Sequence, residues 1–265
     1  MQYCRFQTEK GPQYGELSLR GRELWMERVI AAPPEDWNAG RLIKEFPPQP
    51  LSSLTLLAPV TPSKIVCIGR NYREHAAELG NEAPKEPLLF LKAPSSLLPP
   101  GGAIRIPLIS KRVDYEGELG VVIARACHKL RADDDVRSYI RGYVIVNDVT
   151  ARDLQKSDGQ WSRAKGFDTF CPVGPIVSDA VDPNAGVSVI TRLNGEVKQH
   201  GSTRDFIFDI AVLLRYISAA MTLNPGDLIP TGTPAGVGPM QSGDVVEVEI
   251  EGLGVLRNSV IAENA

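Results

Sequence analysis

Glu116 and Glu118 stand on either side of a single glycine in Asp114-Tyr115-Glu116-Gly117-Glu118, at the mouth of the apolar run Leu119-Gly120-Val121-Val122-Ile123-Ala124. A strand alternates its side chains with period two, which points both carboxylates to one face. Like charges held that close, and partly desolvated, push at least one pKa upward unless a cation neutralises them. A hard divalent cation meets that need. A solvated surface acid pair is the competing reading, and Asp148 weighs against it. This third acid follows the β-branched run Tyr143-Val144-Ile145-Val146-Asn147, where a neighbouring strand would set it beside the glutamates. Three oxygen donors with no thiolate or histidine cluster favour Mg²⁺ or Mn²⁺ over Zn²⁺, and Ca²⁺ accepts the same ligands.

A base and a set of hydrogen-bond donors flank these acids. From Ile68 to Gly80 a strand gives way to a helical pattern, so His75 and Glu78 share a helix face. A carboxylate hydrogen-bonded to imidazole orients it and raises its basicity, as a general base taking a proton from water requires. An exposed helical His-Glu pair would have the same spacing. Arg152 and Gln155 follow Asp148, and Lys165 lies in Ala164-Lys165-Gly166-Phe167-Asp168-Thr169-Phe170-Cys171-Pro172. Such donors suit a substrate carboxylate, or oxygen charge that develops as a bond breaks. Each also fits a helix cap or open solvent, but their grouping downstream of Asp148 favours a pocket for an anionic substrate. His128 and His200 lack such company and read as surface residues.

The elements that must position these groups are mostly strands. Alternating or β-branched runs predict strands over 3–7, 14–19, 24–30, 64–68, 88–92, 119–125, 143–147, 188–193 and 244–250. Helix signals are few: 72–79, 132–138 with an acidic first turn, and 209–220, apolar on one face. No regular βαβ alternation appears, so the expected class is mainly β (α+β) with a few short helices. Proline patches at Pro33-Pro34 and Pro47-Pro48-Gln49-Pro50 suggest a small N-terminal β-rich domain over residues 1–58, a stiff linker, and a larger catalytic domain over 59–265. Gly101-Gly102 and the run from Thr231 to Gly238 fit neither a Walker nor a Rossmann template.

Bulk properties bound the function. With 265 residues, 43% hydrophobic, 23% charged and a formal net charge of -3, the chain reads as a soluble globular protein with no electrostatic case for nucleic acid or an anionic membrane. Cys4, Cys67, Cys127 and Cys171 are scattered with no C-x-x-C pair, which fits free thiols in a reducing cytoplasm. Neither a secretory leader nor a membrane span is apparent, so a cytoplasmic location is expected.

Several motifs together resemble the fumarylacetoacetate hydrolase family. They are Gly69-Arg70-Asn71-Tyr72 with His75, Asp114-Tyr115-Glu116 with Glu118-Leu119, Asn147-Asp148-Val149-Thr150-Ala151-Arg152-Asp153-Leu154-Gln155, the run from Ala164 to Pro175, and Thr231-Gly232-Thr233-Pro234 with Gly236-Val237-Gly238. The motifs span residues 62–260 in family order, while the first sixty residues are similar only to the variable N-terminal extension of bacterial members. The likeness is to the bacterial acylpyruvase and 2-hydroxyhepta-2,4-diene-1,7-dioate isomerase branch.

The resemblance implies a mixed β-sandwich roll, assembled as a homodimer and acting on a small 2-oxo acid. It implies that Glu116, Glu118 and Asp148 ligate Mg²⁺ or Mn²⁺, and that His75 and Glu78 form a water-activating dyad. Arg70, Arg152, Gln155 and Lys165 would contact substrate and oxyanion, and Thr233 would lie against the substrate's carboxylate end. One departure is Asn71, near the place where eukaryotic fumarylacetoacetases offer a further metal-site aspartate. The expected reaction is hydrolytic cleavage of the C–C bond of an acylpyruvate, in which a chelated 2-oxo acid leaves as an enolate. Oxaloacetate decarboxylation and isomerisation of a 2-hydroxymuconate-type dienoate use the same electron sink. Outside enzymes, a non-catalytic metal-binding module is the alternative. Gly80 to Pro87 reads as a lid.

Overall fold

Strand Gly117–Ile123 is buried at every position, which is why its sequence reads as a continuous apolar run rather than an alternating one. In the computed structural model, which describes residues 1–30, 42–43, 46–78, 80 and 82–263, this strand lies inside a 13-stranded sheet. It pairs antiparallel with Ile140–Asn147 on one side and Leu228–Pro230 on the other. The sheet continues through Cys171–Ser178 beyond the first neighbour, and through Ile65–Gly69 and Leu88–Lys92 beyond the second. Pro33-Pro34, Leu79 and Asn81 lie outside the described residues, and with them part of the expected linker, the last residue of the first expected helix and part of the expected lid.

Among the described residues two further sheets complete the mainly β architecture. One has five strands in the order Ala103–Ile106, Gly254–Ala262, Val245–Ile250, Ser188–Leu193, Glu196–Ser202. Its first pair is parallel, with Ala103 opposite Ser259. The other joins Val113–Tyr115 to Thr150–Ala151 and to Gly238–Pro239. The main core lies between the large and the five-stranded sheets, where Leu119, Val121, Ile123 and Ile145 meet Val189, Val248 and Ile250.

Helices are short: α1 (Arg73–Glu78), α2 (Arg152–Asp158), α3 (Ser162–Gly166) and α4 (Ile210–Ala220). Only α4 shows the full amphipathic pattern, burying Ile210, Leu213, Leu214 and Ile217 at positions i, i+3, i+4 and i+7. Burying such a side chain stabilises by roughly 2 kcal/mol, and the Asp209 carboxylate caps the helix by accepting from Val212 N–H. The first three strands form a meander with its own cluster of Cys4, Phe6, Leu17, Met26 and Val29. Gln2 and Tyr3 pair with Ser178 and Val177, so the meander extends the large sheet.

Three expectations differ from what is seen. The helix predicted over 132–138 is a turn followed by a 3₁₀ segment, Val136–Tyr139. Its acids serve the turn instead: Asp134 accepts from Arg131 N–H, and Asp135 from Arg137 N–H. Helices α2 and α3 were not expected, because both are short and largely polar. The acid strand is interrupted at Glu116: Val113–Tyr115 belongs to the three-stranded sheet and Gly117–Ile123 to the large one, so Glu116 sits at the seam.

Candidate active site

The seam brings the three acids together. Gly117 lies opposite Asn147, and Asp148 N–H donates to Glu116 C=O at 2.8 Å. Oxygens of Glu116, Glu118 and Asp148 all lie within 4.8 Å of one another, and all three residues are buried. Lys165, delivered by α3, donates its ammonium to Glu116 Oε2 at 2.7 Å and to Asp148 Oδ2 at 2.5 Å. Arg152, the first residue of α2, is engaged on three nitrogens: Nη2 to Glu116 Oε1 (2.6 Å), Nε to Asp114 Oδ2 (3.0 Å) and Nη1 to Gln155 Oε1 (2.8 Å).

These contacts set the charges. Burial pushes the Glu116 carboxyl up, but the Lys165 and Arg152 charges outweigh it and hold the group below the ordinary range. Burial likewise opposes charge on Lys165, yet Asp148 and Glu116 prevail and keep it protonated. Glu118 goes the other way: burial first, then the neighbouring Asp148 and Glu116 charges, raise it well above an ordinary glutamate. Its side chain accepts one hydrogen bond among the described residues, from Gly232 N–H at 2.8 Å. A buried carboxylate with one neutral donor, facing two other acids, is short of positive charge. Hard oxygen ligands converging on that deficit fit a divalent cation such as Mg²⁺ or Mn²⁺.

His75 is buried while Glu78 is exposed, and Nδ1 stands 3.3 Å from Glu78 Oε2. Burial lowers the His75 pKa from its usual 6.5, with Glu116 and Glu78 opposing, so the imidazole is neutral at physiological pH. Glu78 also accepts from Gly236 N–H at 3.0 and 3.2 Å. His75 lines a small cavity together with Arg70, Phe90, Gln155, Trp161, Thr233 and the two glutamates. Arg70 has φ 57°, a costly left-handed conformation for a non-glycine residue. It makes no hydrogen bond or ion pair with a described residue, which leaves its guanidinium free for an anion. The Thr233 hydroxyl is turned to the protein, donating to Gly117 C=O at 2.9 Å. His128 and His200 are exposed.

Asn71 is a clamp rather than a ligand. Its amide donates to Thr231 C=O (2.9 Å) and Phe208 C=O (3.1 Å), and its oxygen accepts from Phe208 N–H (2.8 Å). An aspartate there could make neither donation.

Sequence reasoning missed Lys92. It is fully buried, and its ammonium donates to Asp148 Oδ1 at 2.7 Å and to Val149 C=O at 3.2 Å. The available signal was a lysine closing the apolar strand Leu88–Lys92. Lys92→Met should destabilise the protein by about 3 kcal/mol, because it leaves the buried Asp148 Oδ1 without its donor and the carboxylate with Lys165 alone. Urea unfolding of the variant checks this; an unchanged midpoint would show that Asp148 needs no second cation. Phe90 and Trp161 were missed as well: their rings meet edge to face at 5.2 Å, and Lys165 Nζ lies 4.7 Å from the Phe90 centroid.

Comparison with known proteins places this geometry among relatives. The family model for the fumarylacetoacetate (FAA) hydrolase C-terminal region matches residues 64–261. An uncharacterised protein of Methanocaldococcus jannaschii is 52% identical over 76% of this chain and 84% of its own length. The oxaloacetate tautomerase YisK of Bacillus subtilis is 42% identical over 79% of this chain and 74% of its own. The crystal structure of a 2-hydroxyhepta-2,4-diene-1,7-dioate isomerase from Mycobacterium marinum superposes with a TM-score of 0.89 at 42% identity, covering 100% of both chains. No helix among the described residues is long and apolar enough to cross a membrane.

Proposed function

The chain belongs to the fumarylacetoacetate hydrolase family, and from that premise we propose that it is a divalent-metal enzyme moving a proton on a small 2-oxo acid, as a tautomerase or isomerase. The observation that carries this reading is one buried imidazole, His75, lining the same cavity as the Glu116 and Glu118 carboxylates. His75 has Nδ1 toward Glu78, so Nε2 is the nitrogen left to take a proton. Lys165 gives two of its three N–H donors to Glu116 and Asp148, which anchors its ammonium beside the acids and leaves one donor for a substrate oxygen. The B. subtilis and M. marinum relatives, a tautomerase and an isomerase by name, support the same choice.

Each residue then has a defined task. Glu116, Glu118 and Asp148 would hold the cation, which when bound supplies Lewis-acid stabilisation of charge on the 2-oxygen and the adjacent carboxylate. Arg70, at the cavity lip, and the Gln155 amide bind the substrate's distal anionic or polar end. His75 removes a proton from C3, whose electron pair becomes the C2–C3 double bond while the 2-oxygen gains a proton; the reverse restores the ketone. Glu78 holds His75 in the tautomer that leaves Nε2 unprotonated. Phe90 and Trp161 exclude bulk water from one wall.

Hydrolysis of an acylpyruvate is the second reading, favoured by the His75–Glu78 pair, which suits activation of water. The two separate in one assay: purified protein with Mn²⁺ or Mg²⁺, offered enol oxaloacetate and acetylpyruvate. Chelator-sensitive acceleration of enol decay, with acetylpyruvate intact, is the expected result. Acetylpyruvate cleavage without acceleration of oxaloacetate tautomerisation would replace this reading by the hydrolytic one, and no metal-dependent turnover of either would favour a binding module.

A further inference from the structure

We propose that Gln199 is a positioning residue that couples the metal-ligand backbone to the His75–Glu78 dyad; the inference rests on reading Glu116, Glu118 and Asp148 as the metal cradle. Gln199 is buried to 1% exposure and comes from strand Glu196–Ser202 of the five-stranded sheet, whereas Glu118 comes from the large sheet and Glu116 and Asp148 from its seam with the three-stranded one. All three of its side-chain hydrogen bonds reach backbone or loop groups of the site. Oε1 accepts from Gly117 N–H at 3.0 Å, between the two glutamates. Nε2 donates to Thr233 Oγ1 and to Pro234 C=O, each at 2.8 Å. Thr233 Oγ1 in turn donates to Gly117 C=O at 2.9 Å, closing a ring of Gly117, Gln199 and Thr233.

The same loop carries the connection to the base. Gly236 has φ 101°, and a Cβ there would lie 2.0 Å from Lys198 C=O, so the loop must lie flat on the strand that bears Gln199. Gly236 N–H donates to the Glu78 carboxylate, and Glu78 faces His75 Nδ1 at 3.3 Å. Tyr115 Oη, one residue before Glu116, donates to Gly236 C=O at 3.0 Å. The Gln199 side chain thus ties the backbone between the metal ligands to Thr233 and Pro234, in the same loop whose Gly236 amide holds Glu78. Only an amide suits the place, since it must accept on one side and donate twice on the other. Ordering the acids around a cation therefore orders the loop and, through Gly236, the dyad; by linkage, loss of the amide weakens cation binding.

The test uses the full-length protein, Mn²⁺ titration by calorimetry, and hydrogen–deuterium exchange of residues 231–236 and 73–78 with and without Mn²⁺. Gln199→Met keeps the volume and removes all three hydrogen bonds. It should raise the Mn²⁺ dissociation constant by about 10- to 100-fold and, at saturating Mn²⁺, lose the added protection that the parent shows in both segments. A purely structural role for Gln199 would lower thermal stability and leave the Mn²⁺-dependent difference intact. A parent-like value in either measurement overturns the proposal. If Gln199→Met fails to fold, Gln199→Glu, which keeps the acceptor for Gly117 and abolishes both donations, is read by the same criteria. The parent alone also decides: bound Mn²⁺ without added protection at 73–78 refutes the coupling, whereas no Mn²⁺ binding at all refutes the cradle.

Discussion

Glu118→Gln should abolish divalent-metal binding and turnover together while leaving the metal-free protein at least as stable as the parent. The amide oxygen can still accept from Gly232 N–H, so the loop contact survives. What disappears is a buried negative charge that burial, Asp148 and Glu116 all disfavour. Removing a metal-binding carboxylate should weaken Mn²⁺ binding by more than about a hundredfold, beyond the usual effect of a supporting residue. The pH dependence has a definite sign. A carboxyl whose folded pKa is raised binds more protons in the native than in the unfolded state between the two values. Metal-free parent protein therefore loses stability as pH rises from the ordinary glutamate range through the raised folded value. That part of the slope should vanish in Glu118→Gln. Urea unfolding with chelator at pH 5 and pH 8, beside calorimetric Mn²⁺ titration, measures both effects. Parent-like Mn²⁺ affinity in the variant would remove Glu118 from the ligand set.

His75→Ala should cut turnover by roughly 10²- to 10⁴-fold, the usual contribution of a positioned general base, with Mn²⁺ affinity little changed. For the parent, kcat/KM should be level at neutral pH and fall as pH drops through the His75 pKa. Burial sets that pKa below the usual 6.5, so the acid limb lies below that value. The direction follows because only neutral imidazole accepts a proton. In His75→Ala this limb should be absent from the residual activity. A limb centred at or above 6.5, or one that survives the substitution, would assign the base elsewhere.

What was legible in the sequence depended on whether one element alone carried the signal. The acids were visible because Glu116 and Glu118 abut an unbroken apolar strand and Asp148 ends another. Helix α4 was visible because Ile210, Leu213, Leu214 and Ile217 keep helical spacing behind an Asp209 cap. Lys92 was not, because a lysine after Leu88-Leu89-Phe90-Leu91 has the pattern of a solvated strand end; its partner Asp148 lies far along the chain. Gln199 was hidden in Glu196–Ser202, a strand with no apolar alternation that is held by cross-strand pairing. Strand Cys171–Ser178 was masked by its two prolines and a glycine, which normally mark turns. Tertiary partners decide such positions, and no local pattern reports them.

The parallel pairing of Ala103–Ile106 with Gly254–Ala262 has a consequence for biogenesis. During vectorial synthesis the strand bearing Gln199 leaves the ribosome well ahead of Gly254–Ala262, yet the latter forms the bridge between Ala103–Ile106 and Val245–Ile250. A nascent chain halted before that bridge leaves Ala103–Ile106 and one edge of Val245–Ile250 unpaired, and it presents those open strand edges to other chains. Because long-range pairing of this kind is slow, the five-stranded sheet closes late, after Gly254–Ala262 has been made.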